Sequence, residues 1–349
     1  MPSNKAAYLL AAKSPFEFHP APLTQPKPHQ LLIRTRAIAL NPIDAKVHRL
    51  AFFPLTYPVI LGQDVAGEVV EIGPDVSRFK VGERVFGLAA GSYDEPEQKA
   101  FQEFVVLRED LAARVPEGMS WERAVVLPLG VCTATAGLFL EQHLGLKLPV
   151  IEVGTGRRER ERERERETVL VWGGAGSVGG NAVQLATKAG YEVLSTCSPG
   201  NFEIVRGLGA REVFDYLSPT VVQDIVSALQ RKRIAGILDA VGGAEAWKFC
   251  VEILKGVEGR KYIATVLPTS SFAPSHDDGI EIEQVQALSI KDTDVGKHVW
   301  EFLGKALEEG KYETAPEPLV AGRGLESLGK AVDVMWEGVS ARKVVVVLD

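Results

Sequence analysis

The sequence predicts an α/β protein that joins an all-β domain to a doubly wound parallel-sheet domain, and three observations carry that reading. Between Gln30 and Arg114 short β-rich runs, LLIRTRAIAL, DVAGEVVEIG, ERVFGL and AFQEFVVL, are cut by Gly, Pro and Asp. From Thr168 the pattern changes to five apolar runs, VLVWGG, EVLSTC, EVFDY, GILDAV and KYIATV, of which helix-length stretches separate the first four. The first of these runs leads into Gly174, Gly176 and Gly179, a GxGxxG spacing set between a strand and an amphipathic helix.

Taken in chain order, MPSNKAAYLLAAKSPFEF has only a short apolar run, interrupted by Lys13, and reads as a first strand rather than a targeting segment. The uncharged stretch Ala124 to Leu140 approaches the ~17-residue minimum of a membrane span. Pro128, Gly130, Thr133 and Thr135 fall inside it, so a buried loop and helix is expected and no membrane partner. Residues 157–167, RRERERERERE, form a two-residue charge repeat in which positions four apart carry like charge and positions three apart opposite charge. A solvated loop insertion is expected there, with a docking site for a charged partner as the alternative. PTSSFAPSHDD, Pro268 to Asp278, is polar and turn-rich and reads as a mobile loop near the cofactor. Helices follow from about Asp294 to Glu309 and near Leu325 to Glu337, and the last strand, KVVVVL, is assigned to the first domain. The expected domains are therefore 1–125 with 310–349, and 126–309.

Composition narrows the function class. Of 349 residues 46% are hydrophobic and 24% charged, which fits a folded globular chain, and the formal net charge of −7 lacks the basic footprint of nucleic-acid or anionic-membrane binding. Small molecules become the default partner. Cys132, Cys197 and Cys250 lie far apart with no CxxC, so neither a disulfide framework nor a thiolate metal cluster is expected, and a reducing cytoplasmic setting fits.

The glycine turn points to a dinucleotide. Small residues are needed there because the turn is tight, the backbone must approach a pyrophosphate and the helix must pack closely on the strand. N–H groups at the helix start then face phosphate oxygens, helped by the helix dipole. Roughly 20 residues on, an acidic side chain at the end of the second strand would bind a free ribose 2′-hydroxyl. Here that position holds Thr196, Cys197 and Ser198. Ser198, the Gly200–Asn201 backbone and Tyr216 are potential donors to a 2′-phosphate, with Arg206 as a candidate charge partner, and the expected cofactor is NADPH.

With both halves read, the chain resembles the medium-chain dehydrogenase/reductases. The resemblance rests on NPIDAKVHR, on YPVILGQDVAGEVVEIGPDVSRFKVGERVFGL, on LPLGVCTATAGL and on the glycine turn with AVQLA. GGAGSVGGNAVQLA, TCSPGNF, LGAREVFDY and GVSARKVVVVL are similar to the fungal zinc-free group that includes trans-acting enoyl reductases of polyketide pathways. The resemblance implies a GroES-like β domain flanking a Rossmann domain. It also implies cofactor contacts from Asp44, Thr133, Ser177, Val178, Asn201, Val241, Thr265 and Lys343 beside the turn glycines.

Alcohol dehydrogenases of this family hold a metal through Cys, His and Cys. At the matching places this chain has NPID, Gly62–Gln63–Asp64 and a position near Leu129, with Cys132 three residues away, and no cysteine between Leu88 and Val105 for a structural zinc lobe. Asp44 and Asp64 alone would make a poor zinc site, so no metal is expected. Without a Lewis acid, hydride delivery to an already activated acceptor is favoured over alcohol oxidation. An enone or enoyl thioester, small or carrier-bound, would then pass through an enolate that needs hydrogen-bond donors and a proton. Asn41 is the candidate donor to the substrate carbonyl, and Lys46 the candidate to stabilise the enolate or relay a proton. The tyrosines, among them Tyr8, Tyr57 and Tyr93, carry no distinguishing pattern. A quinone reductase and a nucleotide-binding protein without turnover stay open as alternatives, as do monomer and homodimer.

Overall fold

A computed structural model describes residues 3–151, 167–269 and 279–349. The charge repeat, apart from Glu167, and the loop at 270–278 lie outside the described residues, and so do the expectations attached to them. The chain divides into two compact units, Met1–Leu129 with Leu303–Asp349, and Gly130–Phe302.

The first unit is β-rich. Its strands are β1 (Asn4–Leu9), β2 (Phe16–Ala21), β3 (Gln30–Ala39), β4 (Val59–Ile60), β5 (Asp64–Ile72), β6 (Arg84–Leu88), β7 (Phe104–Arg108) and β8 (Ala112–Arg114). The second unit contributes β9 (Thr168–Trp172), β10 (Glu192–Cys197), β11 (Glu212–Asp215), β12 (Arg233–Asp239), β13 (Glu258–Gly259), β14 (Tyr262–Thr265) and β15 (Glu281–Gln284). The chain then returns to the first unit with β16 (Glu317–Arg323) and β17 (Arg342–Val347).

In the first unit β2-β1-β4 form a small antiparallel sheet, and β16-β17-β3-β5-β6-β8 a larger one to which β7 adds along β3. Long β-branched and leucine runs explain β3, whose Leu31, Ile33 and Ile38 are fully buried while Arg34 points to solvent. Phe86, Phe101, Leu9 and Ile60 complete a core in which each large side chain contributes about 1.5–3 kcal/mol of burial. After β3 the chain enters helix α1 (Pro42–Leu50). Asn41 is its N-cap, Pro42 occupies the first turn where a missing N–H is harmless, and Ala51 ends it with a left-handed φ of 52°.

The second unit is a Rossmann sheet of order β11-β10-β9-β12-β14-β15, every pair parallel. Strands covered on both faces read as unbroken apolar runs, and TVLVW of β9 is buried at all five positions. The helix Ala244–Lys255 packs Trp247, Cys250, Ile253 and Leu254 on the sheet at helical spacing, and the Trp172 and Phe249 rings stack with centroids 5.5 Å apart. β15 was not expected: EIEQ carries one apolar residue, and only pairing with β14 makes it a strand. The stretch Trp121–Phe139 is apolar and long enough to cross a membrane by composition, but it forms separate helices, Trp121–Ala124 and Pro128–Phe139, and 83% of its most apolar window is buried in the fold.

One residue of α1 creates a pH-dependent liability. His48 lies under Phe16, ring centroids 4.8 Å apart, and neither imidazole nitrogen has a hydrogen-bond partner among the described residues. Burial, reinforced by the Arg49 charge and only partly opposed by the Ser14 backbone, pushes its pKa below the usual value. The unfolded chain therefore binds this proton more readily, and stability falls as the pH drops below about 6.5. His48→Phe keeps the stack and removes the titration. Its advantage over the parent in urea unfolding should widen between about pH 7 and about pH 5; parallel stability curves would locate the acid sensitivity elsewhere.

Candidate active site

In the second unit, strand β9 runs into a turn at Gly173 and the helix Ser177–Lys188 starts beyond it, capped by Gly176. Thr196 on β10 fixes the turn: its hydroxyl accepts the Gly173 N–H at 3.0 Å and its carbonyl the Gly174 N–H at 2.8 Å. A Cβ on Gly179 would run into the Gly173 carbonyl oxygen, so helix and turn approach as closely as glycine permits. A Cβ on Gly176 would instead meet nothing nearer than that same carbonyl at 3.7 Å. The space over Gly176 is thus open in the folded chain, beside the first turn of the helix at Ser177 and Val178. That open cradle at a helix N-terminus fits a pyrophosphate.

Ser198, Tyr216, Val241 and Thr265, also expected at the cofactor, lie at carboxyl ends of the same parallel strands, where ligands bind in doubly wound sheets. Ser198 follows β10, and its Oγ accepts from Asn201 Nδ2 at 3.1 Å. Tyr216 follows β11 and is exposed. Val241 follows β12 and is also exposed, packed where a Cβ on Gly173 would fall. Thr133 is buried on the helix Pro128–Phe139. Arg206, considered for a phosphate, pairs instead with Glu203 at 2.7 Å on the exposed helix after β10. Thr265 ends β14, but its hydroxyl is spent inside the fold, donating to Asp239 Oδ2 at 2.9 Å. Asp239 was missed from the sequence. Its other oxygen accepts the Val241 and Gly242 N–H groups at 3.0 and 2.9 Å, shaping the turn after β12. Cys197 is buried, and burial with the Asp215 charge pushes its thiol up to about 11, so it is not a nucleophile.

In the first unit the sequence-predicted residues Asn41, Asp44 and Lys343 come together, around Asp64. Asp64 opens β5 with no exposed surface and accepts three hydrogen bonds: Leu129 N–H at 2.7 Å, Asn41 Nδ2 at 2.9 Å and Lys343 Nζ at 2.8 Å. Lys343 Nζ also donates to Asn41 Oδ1 at 2.5 Å. Asp44, three residues into α1, accepts the Asn41 backbone N–H at 2.8 Å. Burial and then the Asp64 charge push its carboxyl up to about 6, against that hydrogen bond and the Lys343 and Lys99 charges. The Asn41 amide, expected at a substrate carbonyl, is turned inward to Asp64. The Lys343 ammonium, expected as a cofactor contact, is 2% exposed and held by Asp64 and Asn41. Lys46 is half-buried on α1 with its Nζ 5.8 Å from the Phe52 ring centroid, and burial lowers its pKa.

This fold, with a glycine turn at the head of a parallel sheet, is that of a dinucleotide-binding domain joined to a β-rich one. Residues 27–117 match the alcohol dehydrogenase GroES-like domain. The chain is 42% identical to "Zinc-binding alcohol dehydrogenase domain-containing protein cipB" of Emericella nidulans, over 99% of this chain and 98% of that one. It is 42% identical to "Dehydrogenase pigH" of Monascus ruber over the full length of both, and 33% identical to "Trans-enoyl reductase himH" of Aspergillus japonicus over 91% of this chain and 89% of the relative. An alcohol dehydrogenase superfamily protein from Novosphingobium aromaticivorans superposes with a TM-score of 0.75 at 25% identity, covering 99% of this chain and all of that one. The chain belongs to the medium-chain dehydrogenase/reductase family.

A zinc ion, which the name of the Emericella relative carries, does not fit the residues found here. The side chains gathered around Asp64 offer an amide, carboxylates and an ammonium, whereas tight zinc sites use thiolate and imidazole. The Lys343 ammonium already takes the Asp64 carboxylate. Among the described residues no group of three His, Cys, Asp or Glu side chains is arranged to hold a metal.

Two contrasts test this geometry. Lys343→Met strips the counter-charge from a buried carboxylate and should lower stability by about 3–5 kcal/mol in chemical denaturation; an unchanged midpoint would show that Asp64 does not depend on it. Gly176→Ala should leave the melting temperature near the parent value and weaken dinucleotide binding at least tenfold, whereas Gly179→Ala should lower both. Equal behaviour of the two variants would contradict the open cradle over Gly176.

Proposed function

We propose that the chain is an NADPH-dependent, zinc-independent reductase of activated C=C bonds, acting on an enone or on an enoyl thioester that is free or carrier-bound. The observation that carries this reading is the Asn41–Asp64–Lys343 network. The cation in that place is a lysine neutralised by its own carboxylate, which is no Lewis acid for an alcohol. A conjugated carbonyl needs no such polarisation, only donors for the enolate and a proton. The trans-enoyl reductase name of the Aspergillus japonicus relative supports the same substrate class.

The nicotinamide, when bound, supplies the hydride. The chain's own residues bind and orient. The turn from Gly174 to Gly179 would hold the pyrophosphate. Ser198, Asn201 and Tyr216 would hold the 2′-phosphate at the end of β10, where Thr196–Cys197–Ser198 carry no carboxylate, with Asp215 one strand away opposite Cys197. Lys46, half-buried and lowered in pKa, is the cation of α1 suited to an enolate oxygen. The three free cysteines, all buried, suit a reducing cytoplasm.

The test is consumption of NADPH and NADH at matched concentration with crotonyl-N-acetylcysteamine, a small enone and a quinone. We expect turnover of the two alkenes with a clear NADPH preference. Turnover of the quinone alone would replace this reading with a quinone reductase, and NADH preference would overturn the assignment of Ser198 and Tyr216.

A further inference from the structure

Beside α1 lies a lysine that the residues above leave unused. Lys99 closes the short turn Pro96–Gln98 and is 3% exposed. Its Nζ donates to the Gly91 carbonyl at 2.8 Å and sits over the Tyr93 ring, 4.4 Å from the centroid. No carboxylate among the described residues pairs with it directly; Asp44 of α1 and Glu95 of its own turn act on it through space. An ammonium buried without an ion pair is costly, and burial brings its pKa down to about 8. What it does touch is informative, because both contacts lie on the segment that presents Tyr93.

Tyr93 is half-buried, with its ring 6.5 Å from that of Phe53. Burial first, then the Asp44 charge, push its pKa upward, so its hydroxyl stays protonated. It packs against the same core cluster as Tyr57 and Ile43, a cluster that includes Ala45 and Val47 of α1, the helix that carries Asp44 and Lys46. Its hydroxyl makes no hydrogen bond among the described residues.

We propose that Tyr93 delivers the proton that completes the reduction, and that Lys99 is the positioning residue that holds the Tyr93 ring from beneath. This rests on the C=C reductase reading. Hydride adds to the β-carbon and the π electrons move to the carbonyl oxygen, giving the enolate. The Tyr93 O–H bond then breaks, a C–H bond forms at the α-carbon and the C=O bond re-forms. The phenolate left behind takes a proton from water. As that negative charge develops on the ring, the ammonium over its face attracts it, and does so strongly because both groups are shielded from solvent.

The experiment uses the full chain with NADPH and crotonyl-N-acetylcysteamine, comparing Tyr93→Phe, Lys99→Met and Lys99→Arg. NADPH binding and thermal melting report on the fold of each. Tyr93→Phe retains the ring and should lower kcat by about 10²–10⁴-fold with KM little changed. Lys99→Met should lower kcat by about tenfold and abolish the fall in rate above about pH 8, the titration of Lys99, while Lys99→Arg keeps the rate and carries that limb upward. A Tyr93→Phe variant within twofold of the parent would overturn the proton assignment. A Lys99→Met variant with the parent's pH profile would overturn the positioning role. A parent protein that reduces none of the alkene probes would overturn the functional reading itself, and this inference with it.

Discussion

The buried carboxylate of Asp64 is the constraint around which the first unit is arranged. A charged group with no exposed surface is stable only if its oxygens are fully used and its charge is met. Asp64 meets that demand with one ammonium, one amide and one backbone N–H, from Lys343 on β17, Asn41 at the head of α1 and Leu129. Those partners come from separate stretches of the sequence, Asn41 and Lys343 being 302 residues apart. Their convergence sets where α1 starts, and therefore where Asp44 and Lys46 stand, in its first and second turns. Two carboxylates, Asp44 and Asp64, and two ammonium groups, Lys99 and Lys343, share this interior, so its formal charge is balanced when all four are ionised. Asp44, pushed up to about 6, is neutralised toward acid pH, and Lys99, brought down to about 8, toward alkaline pH.

The second unit solves a different electrostatic problem with almost no side-chain charge. The end of the sheet at the glycine turn is made of backbone: a tight turn tied to Thr196, a helix N-terminus with its dipole, and an absent Cβ at Gly176. Asp239 serves the neighbouring turn by accepting two backbone N–H groups and the Thr265 hydroxyl, which keeps strands β12 and β14 level at the same edge. The GroES-like unit thus carries buried side-chain charge, and the Rossmann unit carries aligned dipoles.

This difference explains what could be read from the sequence. Periodicity and turn residues report on backbone, and so β9 to β12, β14, the glycine turn and the closing strand were legible, as were Ser198, Tyr216 and Val241 at strand ends. β15 was not, because a single isoleucine in EIEQ gives no alternation to detect. Side-chain networks closed by distant segments leave no local trace. NPID announced a site, yet nothing in it showed that Asn41 would face Asp64 and Lys343 rather than a substrate. Asp64 offered a signal in retrospect, a carboxylate opening an apolar strand, where burial should demand partners. Asp239 offered the same signal at the end of GILDAV.

Lysine shows most clearly why chemistry cannot be assigned by residue type. Lys343, Lys46 and Lys99 belong to one unit and carry the same ammonium. Lys343 is enclosed with a carboxylate at 2.8 Å and an amide oxygen at 2.5 Å, so its charge is consumed by the fold. Lys46 is half-buried over the edge of an aromatic pair, Phe52 and Phe53, and keeps access to solvent. Lys99 is as buried as Lys343 but faces a carbonyl and a ring, which stabilise an ammonium less than a carboxylate does. Desolvation therefore acts on Lys99 with little opposition, and the same side chain that is structural at one position becomes titratable at another. The distinguishing variable is the partner that the fold supplies, and for these three lysines that partner comes from a different segment each time.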